Sequence, residues 1–239
     1  ELYVLSENIN NLLSRIENAI DREKQFTSDA SHELRTPLAV IKGTMEVLIR
    51  KPRNQQEYEE KIQFCISEVD RLNHMVDRLL LLARFENQKQ NVKQETIYLN
   101  ALVLDNLTRF SEKSESKKLK IKTEFTEDYY LISDNYLVSI IISNLISNAI
   151  KYSNPNGEIA IELGKTNDEV TFSITDYGVG IAKNDLDKIF NSFYRSDVSN
   201  HPEIKGTGLG LSIVKRLCDL LKLEITVESK LNQGTKFVL

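Results

Sequence analysis

Apolar side chains recur at steps of three and four through the first third of the chain: Leu2, Leu5, Ile9, Leu12, Ile16 and Ala19, with Phe26 in the same register. That spacing lays one stripe along one side of a helix and predicts a coiled-coil seam. Phe26, Ala30, Leu34 and Leu38 then step by four three times running. Repeated four-residue steps are a stutter, which locally unwinds a heptad. The regular pattern resumes at Ile41, Met45 and Leu48, and Lys51 to Asn54 reads as a turn. A second helix follows, with Cys65, Val69, Leu72, Val76, Leu79 and Ala83 predicted on its seam. Two long amphipathic helices and a short turn make a helical hairpin. A hairpin alone buries its narrow seam poorly, and a dimer forming a four-helix bundle would complete the core.

Glycine divides the chain at a different point. Only Gly43 falls in the first 156 residues, whereas five of the nine glycines lie between 178 and 210. Glycine marks tight turns and close backbone approach, so the later part is expected to hold a glycine-built site. There the apolar pattern also changes. Thr96–Leu99, Leu119–Phe125 and Tyr129–Ile132 read as strands, and Asn100 to about Ser116 and Asn135–Tyr152 as helices. Glu158–Leu163 and Val170–Thr175 form a hairpin around Lys165 to Asp168. Leu209–Leu221 is a helix, and Leu223–Glu228 and Thr235–Leu239 close as strands. The expected fold is therefore a helical hairpin followed by an α/β sandwich, a mixed sheet on three helices.

Composition narrows the function. The 239 residues suffice for two modest cores, and a net charge of −4, spread evenly over the two halves, supplies no basic field for nucleic acid. Two cysteines, Cys65 and Cys218, give neither a disulfide scaffold nor a CxxC metal site. The longest unbroken apolar run, Leu79 to Ala83, is far short of a membrane span, and no signal peptide is recognisable. The sequence starts at Glu1 without methionine, so it is expected to be a piece of a longer protein.

Residues 31 to 38 read Ser-His-Glu-Leu-Arg-Thr-Pro-Leu. His32 falls off the apolar seam, so its imidazole is expected to face solvent. An imidazole nitrogen is a nucleophile near neutral pH. Glu33 can hydrogen-bond the other ring nitrogen, fix the tautomer and accept a proton. Pro37 brings no N–H to the Glu33 carbonyl, so the helix is expected to bend there. Taken alone, the same histidine could be a surface residue of a coiled coil. The eight residues together resemble, without a gap, the H-box of sensor histidine kinases. That resemblance implies that His32 is the phospho-acceptor and Glu33 its acid/base partner. It also implies that Thr36 helps position water when the partner protein is dephosphorylated. His74 and His201 match no motif and read as surface residues.

A nucleotide site is legible independently. Gly164-Lys165-Thr166 looks like the end of a Walker A motif, but position 159 is isoleucine, not the required glycine. Gly206-Thr-Gly208-Leu-Gly210 opens a helix, where free N–H groups and the helix dipole favour phosphate. Its GxGxG spacing, without a βαβ unit, excludes a Rossmann reading. On the helix from Asn135, Asn144, Asn148 and Lys151 lie within about a 60° arc. Val138, Ile141, Ile142, Leu145 and Ala149 form the neighbouring face, which would pack on the sheet. Two amides and a lysine beside a buried face can hold a divalent cation and phosphates. Asp176-Tyr-Gly178-Val-Gly180 follows a strand, where a carboxylate can accept from the exocyclic amine of adenine and the glycines let the base approach.

These segments resemble the N, G1, F and G2 boxes of the histidine-kinase ATP-binding domain, the fold shared with Hsp90, gyrase and MutL. The resemblance implies ATP and Mg²⁺ as cofactors. It puts Asn148 on the metal with Asn144 supporting, Lys151 on phosphate, Tyr152 against the nucleoside and Asp176 on adenine, with Gly178 and Gly180 beside it. Phe190-Asn-Ser-Phe193-Tyr-Arg195 matches the F-box, implying that Arg195 approaches the phosphates. Gly206, Gly208 and Gly210 match the second glycine box, and Gly234-Thr235-Lys-Phe237 the last, placing Thr235 near adenine. Residues 196 to 205 would be a mobile lid, in which Lys205 departs from the glycine common in the family. Residues 1 to 20 resemble the second helix of a HAMP linker, 21 to 90 the dimerisation and phosphotransfer hairpin, and 95 to 239 the ATP-binding domain. The family resemblance implies a homodimer, a response-regulator receiver domain as partner, and a cytoplasmic portion of a plasma-membrane sensor. A clamp ATPase of the same fold would leave residues 31 to 38 unexplained, and a non-enzymatic scaffold would not need His32, Asn148 and Asp176 intact.

Overall fold

The computed structural model describes residues 2–87, 92–166, 169–196 and 206–239. The chain divides into two bodies, residues 1–77 and 78–239.

In the first body, α1 (Leu2–Ile49) runs 48 residues, about 70 Å, with Pro37 inside it and no break in the helix. Asn54 starts α2 (Gln55–Asn87), whose residues from Arg78 onward are counted with the second body, with a reciprocal cap. The Glu57 N–H donates to Asn54 Oδ1 at 2.8 Å, and Asn54 Nδ2 donates back to Glu57 Oε1 at 3.2 Å. Arg53 ties the turn together by donating to Glu57 Oε2 and to the Val47 carbonyl. The expected hairpin is present, but the seam of α2 is shifted. Its buried positions are Cys65, Glu68, Met75 and Leu82, while Val69 and Val76 are exposed. The polar Glu68 hides the inner stripe from an apolar count, and Val69 and Val76 belong to a second apolar face. Ile9, Leu12, Ile16 and Leu38 on α1 are likewise about half exposed in the single chain.

In the second body, β1 (Glu95–Tyr98) pairs antiparallel with β3 (Tyr130–Ser133). A five-stranded mixed sheet has the order β2-β4-β5-β7-β6. Its strands are β2 (Lys120–Phe125), β4 (Glu158–Thr166), β5 (Glu169–Asp176), β6 (Thr226–Lys230) and β7 (Gly234–Val238). Only the β2–β4 pair is parallel. The helix α5 (Asn135–Tyr152) covers the sheet with Val138, Ile141, Ile142, Leu145 and Ala149 buried, as its periodicity predicts. Asp134 caps it by accepting the Leu137 N–H at 3.1 Å. Ile159, Ile161, Ile174 and Phe237 of the sheet are buried, as are Ile213, Val214 and Leu217 of α6 (Gly210–Leu221).

Most strand boundaries differ from the sequence reading by one to three residues, β4 for example running on to Thr166 rather than Leu163, and two further differences have a local cause. The helix expected from Asn100 to Ser116 splits at Phe110 into α3 (Leu99–Arg109) and α4 (Ser111–Ser116). Phe110 leaves helical geometry (φ −109°, ψ 9°) and its N–H returns to the Leu107 carbonyl at 3.0 Å, which closes α3 before α4 begins. The strand expected from Leu223 starts at Thr226 instead, because Lys222 ends α6 in the left-handed region and the Leu223 N–H returns to the Cys218 carbonyl. The tip of the β4–β5 hairpin, the lid expected at 196 to 205, Lys205 and His201 lie outside the described residues, apart from Ser196. Among the described residues no helix is long and apolar enough to cross a membrane.

Candidate active site

The site of the second body is built on the C-terminal end of α5, whose last carbonyls have no partner inside the helix. The Lys117 ammonium donates to three of them, Ile150, Lys151 and Ser153, at 3.0, 2.7 and 3.1 Å. The fourth, Tyr152, accepts the Val179 N–H at 3.2 Å. That last bond brings the loop after β5 against the helix, and a Cβ at Gly178 would overlap the Tyr152 carbonyl. The sequence reading missed Lys117, which sits in a run of surface lysines without a motif.

Asn144 donates Nδ2 to the Ile140 carbonyl at 2.8 Å, which turns its Oδ1 toward the start of α6. A Cβ at Gly210 would stand 3.1 Å from Asn144 Oδ1 and 4.0 Å from Asn148 Oδ1. Lys151 lies over the Tyr152 ring, 4.7 Å from its centroid, and against Gly206. The three polar residues of α5 thus meet the glycine segment. Gly208 has φ +71°, and its carbonyl accepts the N–H of Phe193, itself at φ +63°. Burial lowers the Lys151 ammonium to about 8, and the positive charges of Arg195, Arg78 and Lys117 add to the shift. A polyanion placed there would relieve that repulsion.

Asp176 ends β5 and is 5 % exposed. Burial pushes its carboxyl up to about 6, although the N–H groups of Gly178 (3.0 Å) and Thr235 both donate to it. Ser229 fixes the facing edge: it accepts the Ile181 N–H, donates to the Gly234 carbonyl and shares a hydrogen bond with the Thr235 hydroxyl, each at 2.8 Å.

Asn148, Tyr152, Asp176, Gly180, Arg195 and Thr235 line one cleft of about 850 Å³, open to solvent. Its apolar walls are Ile181, Ile189, Leu211, Leu231 and Phe237. These were missed because an apolar wall residue and a core residue look alike in sequence. The cleft can take a planar apolar group against the walls, a polar edge at Asp176 and anionic groups at the Lys151 and Arg195 end. His32, Glu33 and Thr36 form a separate group on α1 of the first body. His32 is exposed and Glu33 half-buried. The Thr36 hydroxyl donates to the His32 carbonyl at 3.2 Å. His74 is exposed, as expected.

Residues 22–88 match the His Kinase A (phospho-acceptor) domain, and residues 133–239 the histidine kinase-, DNA gyrase B- and HSP90-like ATPase family. The signal transduction histidine-protein kinase ArlS of Staphylococcus aureus (strain USA300) is 30% identical over 249 residues, covering 99% of this chain and 52% of the relative. The chain therefore spans about half the length of the curated relatives it matches. Among solved structures, the Acinetobacter baumannii histidine kinase AdeS matches with a TM-score of 0.71 at 26% identity, over 87% of this chain and 95% of that one. The histidine kinase ThkA in complex with the response regulator TrrA matches with a TM-score of 0.73 at 24% identity, over 90% and 60% of the chains, a likeness of fold. A phospho-acceptor hairpin and an ATPase sandwich follow one another in a single chain, and relatives align across both: the chain belongs to the histidine kinases.

Proposed function

We propose that the protein autophosphorylates His32 from ATP and passes the phosphoryl group to an aspartate of a response-regulator receiver domain. The observation that carries this reading is the pairing of two features in one chain: an exposed histidine beside a carboxylate on α1, and a cleft lined by the buried carboxylate of Asp176 and by Arg195, whose charge is felt at Lys151. A lone-pair nitrogen of His32 forms a bond to the γ-phosphorus. The bond from that phosphorus to the oxygen bridging the β-phosphate breaks, and ADP leaves with the electron pair. The proton on the other ring nitrogen passes to Glu33. Lys151, Arg195 and the N–H groups at Gly206, Gly208 and Gly210 hold the phosphates. Asp176, with Thr235, accepts from the adenine amine; Gly178 and Gly180 admit the base, and Tyr152 lies against the nucleoside. Thr36 helps position the water that hydrolyses the aspartyl phosphate of the regulator, releasing inorganic phosphate.

The donor set fits Mg²⁺ held chiefly by the nucleotide. Near Gly210 the protein offers neutral amide oxygens, Asn148 with Asn144 behind it, and among the described residues no group of three or more His, Cys, Asp or Glu could hold a metal ion. A hard divalent cation placed there would take its remaining ligands from phosphates and water, and would offset phosphate charge.

The outward apolar residues Ile9, Leu12, Ile16, Leu38, Val69 and Val76 support a homodimer closing a four-helix bundle. In this reading residues 1–20 are a HAMP-like linker, 21–90 the dimerisation and phosphotransfer hairpin, and 95–239 the catalytic domain. The parent protein is a membrane sensor with this portion on the cytoplasmic side.

The test is incubation with Mg·ATP labelled at the γ-phosphate, followed by mapping of the label. Acid-labile, base-stable label on the peptide containing His32 is expected. Released phosphate with none on protein would instead favour a clamp ATPase, and binding alone a scaffold.

A pH dependence follows from Lys151. Its ammonium sits near 8 in the free protein, and a bound triphosphate would raise it again. Binding above that pH must therefore take up a proton, so affinity should fall by up to about tenfold per pH unit as pH rises past 8. Calorimetric titration of a non-hydrolysable ATP analogue between pH 7 and 9.5 reads this slope. Lys151→Met should bind weakly at every pH and lack it; a wild type with flat affinity would remove the assignment.

A further inference from the structure

Asp185 belongs to none of the glycine or asparagine segments, yet it grips the chain at the cleft. It closes the 3-10 turn Lys183–Asp185, where its N–H donates to the Ala182 carbonyl at 2.9 Å. Its own carbonyl accepts the N–H groups of Lys188 and Ile189 at 2.8 and 3.1 Å, so its position is fixed by the same turns that place Ile189 in the cleft wall. One carboxylate oxygen accepts the Tyr194 hydroxyl at 2.7 Å, and the other accepts the Ser196 hydroxyl. The two hydroxyls belong to the residues on either side of Arg195.

The other end of the segment is fixed independently. Phe193, in the left-handed region, donates its N–H to the Gly208 carbonyl at 3.0 Å. A bulky residue keeps that conformation only where its surroundings impose it. Residues 193 to 196 are thus held by the glycine segment at one end and by one carboxylate at the other, with Arg195 between. The hydroxyls of Ser196 and Tyr194 hold the Asp185 carboxyl below the usual carboxylate range, as expected for charge-assisted hydrogen bonds.

We infer that Asp185 is a positioning residue for Arg195: by clasping both neighbours through their hydroxyls it presents the guanidinium to the phosphate end of the nucleotide. This rests on the nucleotide-binding reading above. The benefit is preorganisation, since a guanidinium on a fixed backbone loses less freedom when it meets its anion.

The test is a double-mutant cycle on the whole chain with Asp185→Ala, Arg195→Ala and the combination. Each is titrated with a Mg²⁺-loaded non-hydrolysable ATP analogue and with adenosine. Asp185→Ala is expected to weaken the triphosphate about tenfold, leave adenosine within about twofold, and cost nothing further once Arg195 is gone. A merely structural role would weaken both ligands, or add its loss to that of Arg195→Ala; either result overturns the assignment, as does an unchanged triphosphate affinity. If Asp185→Ala does not fold, Tyr194→Phe and Ser196→Ala each remove one bond of the clasp. Each should cost the triphosphate about threefold in the wild-type background and nothing in Arg195→Ala, and an additive pattern there is equally fatal. A wild type that binds neither ligand would sink the nucleotide reading itself, a distinct outcome.

Discussion

His32→Gln is expected to carry no acid-labile phosphate while binding nucleotide within about twofold of the parent, because the substituted side chain lies in the other body from the cleft. Glutamine suits the position. The side chain is exposed, glutamine is a better helix former than histidine, and the bond from the Thr36 hydroxyl goes to the backbone carbonyl of residue 32, which any residue supplies. The fold has no reason to change, so lost labelling reports the lost nucleophile. An amide has no comparable lone pair, and the expected fall in transfer rate is at least about 10⁴-fold, a barrier increase of roughly 5 kcal/mol. Glu33→Gln separates the roles of the pair. It leaves the nucleophile and removes the proton acceptor, so label should still form, about 10²- to 10⁴-fold more slowly. Rapid-quench labelling of the three proteins decides the matter. Undiminished label on His32→Gln would move the acceptor elsewhere, and equal rates for Glu33→Gln and the parent would remove Glu33 from proton transfer.

What could be read from sequence followed periodicity and local chemistry. The boundaries of α5 came out correctly because an unbroken apolar face lies between the capping Asp134 and the Ser153-Asn154-Pro155 stop. Asn144, Asn148 and Lys151 stood out as polar residues on an otherwise apolar helix, and the structure sets all three against the glycine segment. The inner stripe of α2 was obscured because one of its members is Glu68. Lys117 and Asp185 were invisible for a different reason. Each acts on backbone or hydroxyl groups brought near by the fold, Lys117 across more than thirty residues, and neither disturbs the local pattern. The cleft walls were hidden because Ile181, Leu231 and Phe237 become neighbours only when the loop after β5 meets the β6–β7 end of the sheet.

Asp176→Asn should move binding and stability in opposite directions. Burial raises the carboxyl from 3.8 to about 6, so the fold prefers its protonated form. That contribution to stability is fully present below the unfolded value and is lost as pH rises through about 6. At neutral pH the wild type therefore carries a cost of up to roughly 3 kcal/mol. Asparagine is neutral and keeps an acceptor for the Gly178 N–H, so the nucleotide-free variant should melt roughly 5 °C higher at pH 7.5. The gap should close as the pH falls from 6 toward 4, where the wild type becomes neutral as well. Binding goes the other way. The carboxylate has two acceptor oxygens and already takes N–H groups from Gly178 and Thr235. An amide has one acceptor oxygen, so its NH₂ must face either a backbone N–H or the adenine amine, each of them a donor. Losing a hydrogen bond to a charged acceptor in that setting should weaken ATP by roughly 30-fold. Since the neutral acid is a weaker acceptor than the carboxylate, wild-type affinity should also fall below about pH 6, giving a lower limb opposite the one from Lys151. Melting scans and analogue titrations on both proteins across pH 5 to 9 test the two halves together. A variant that neither gains stability nor loses the lower limb would show that Asp176 is not the ionised group reading the base.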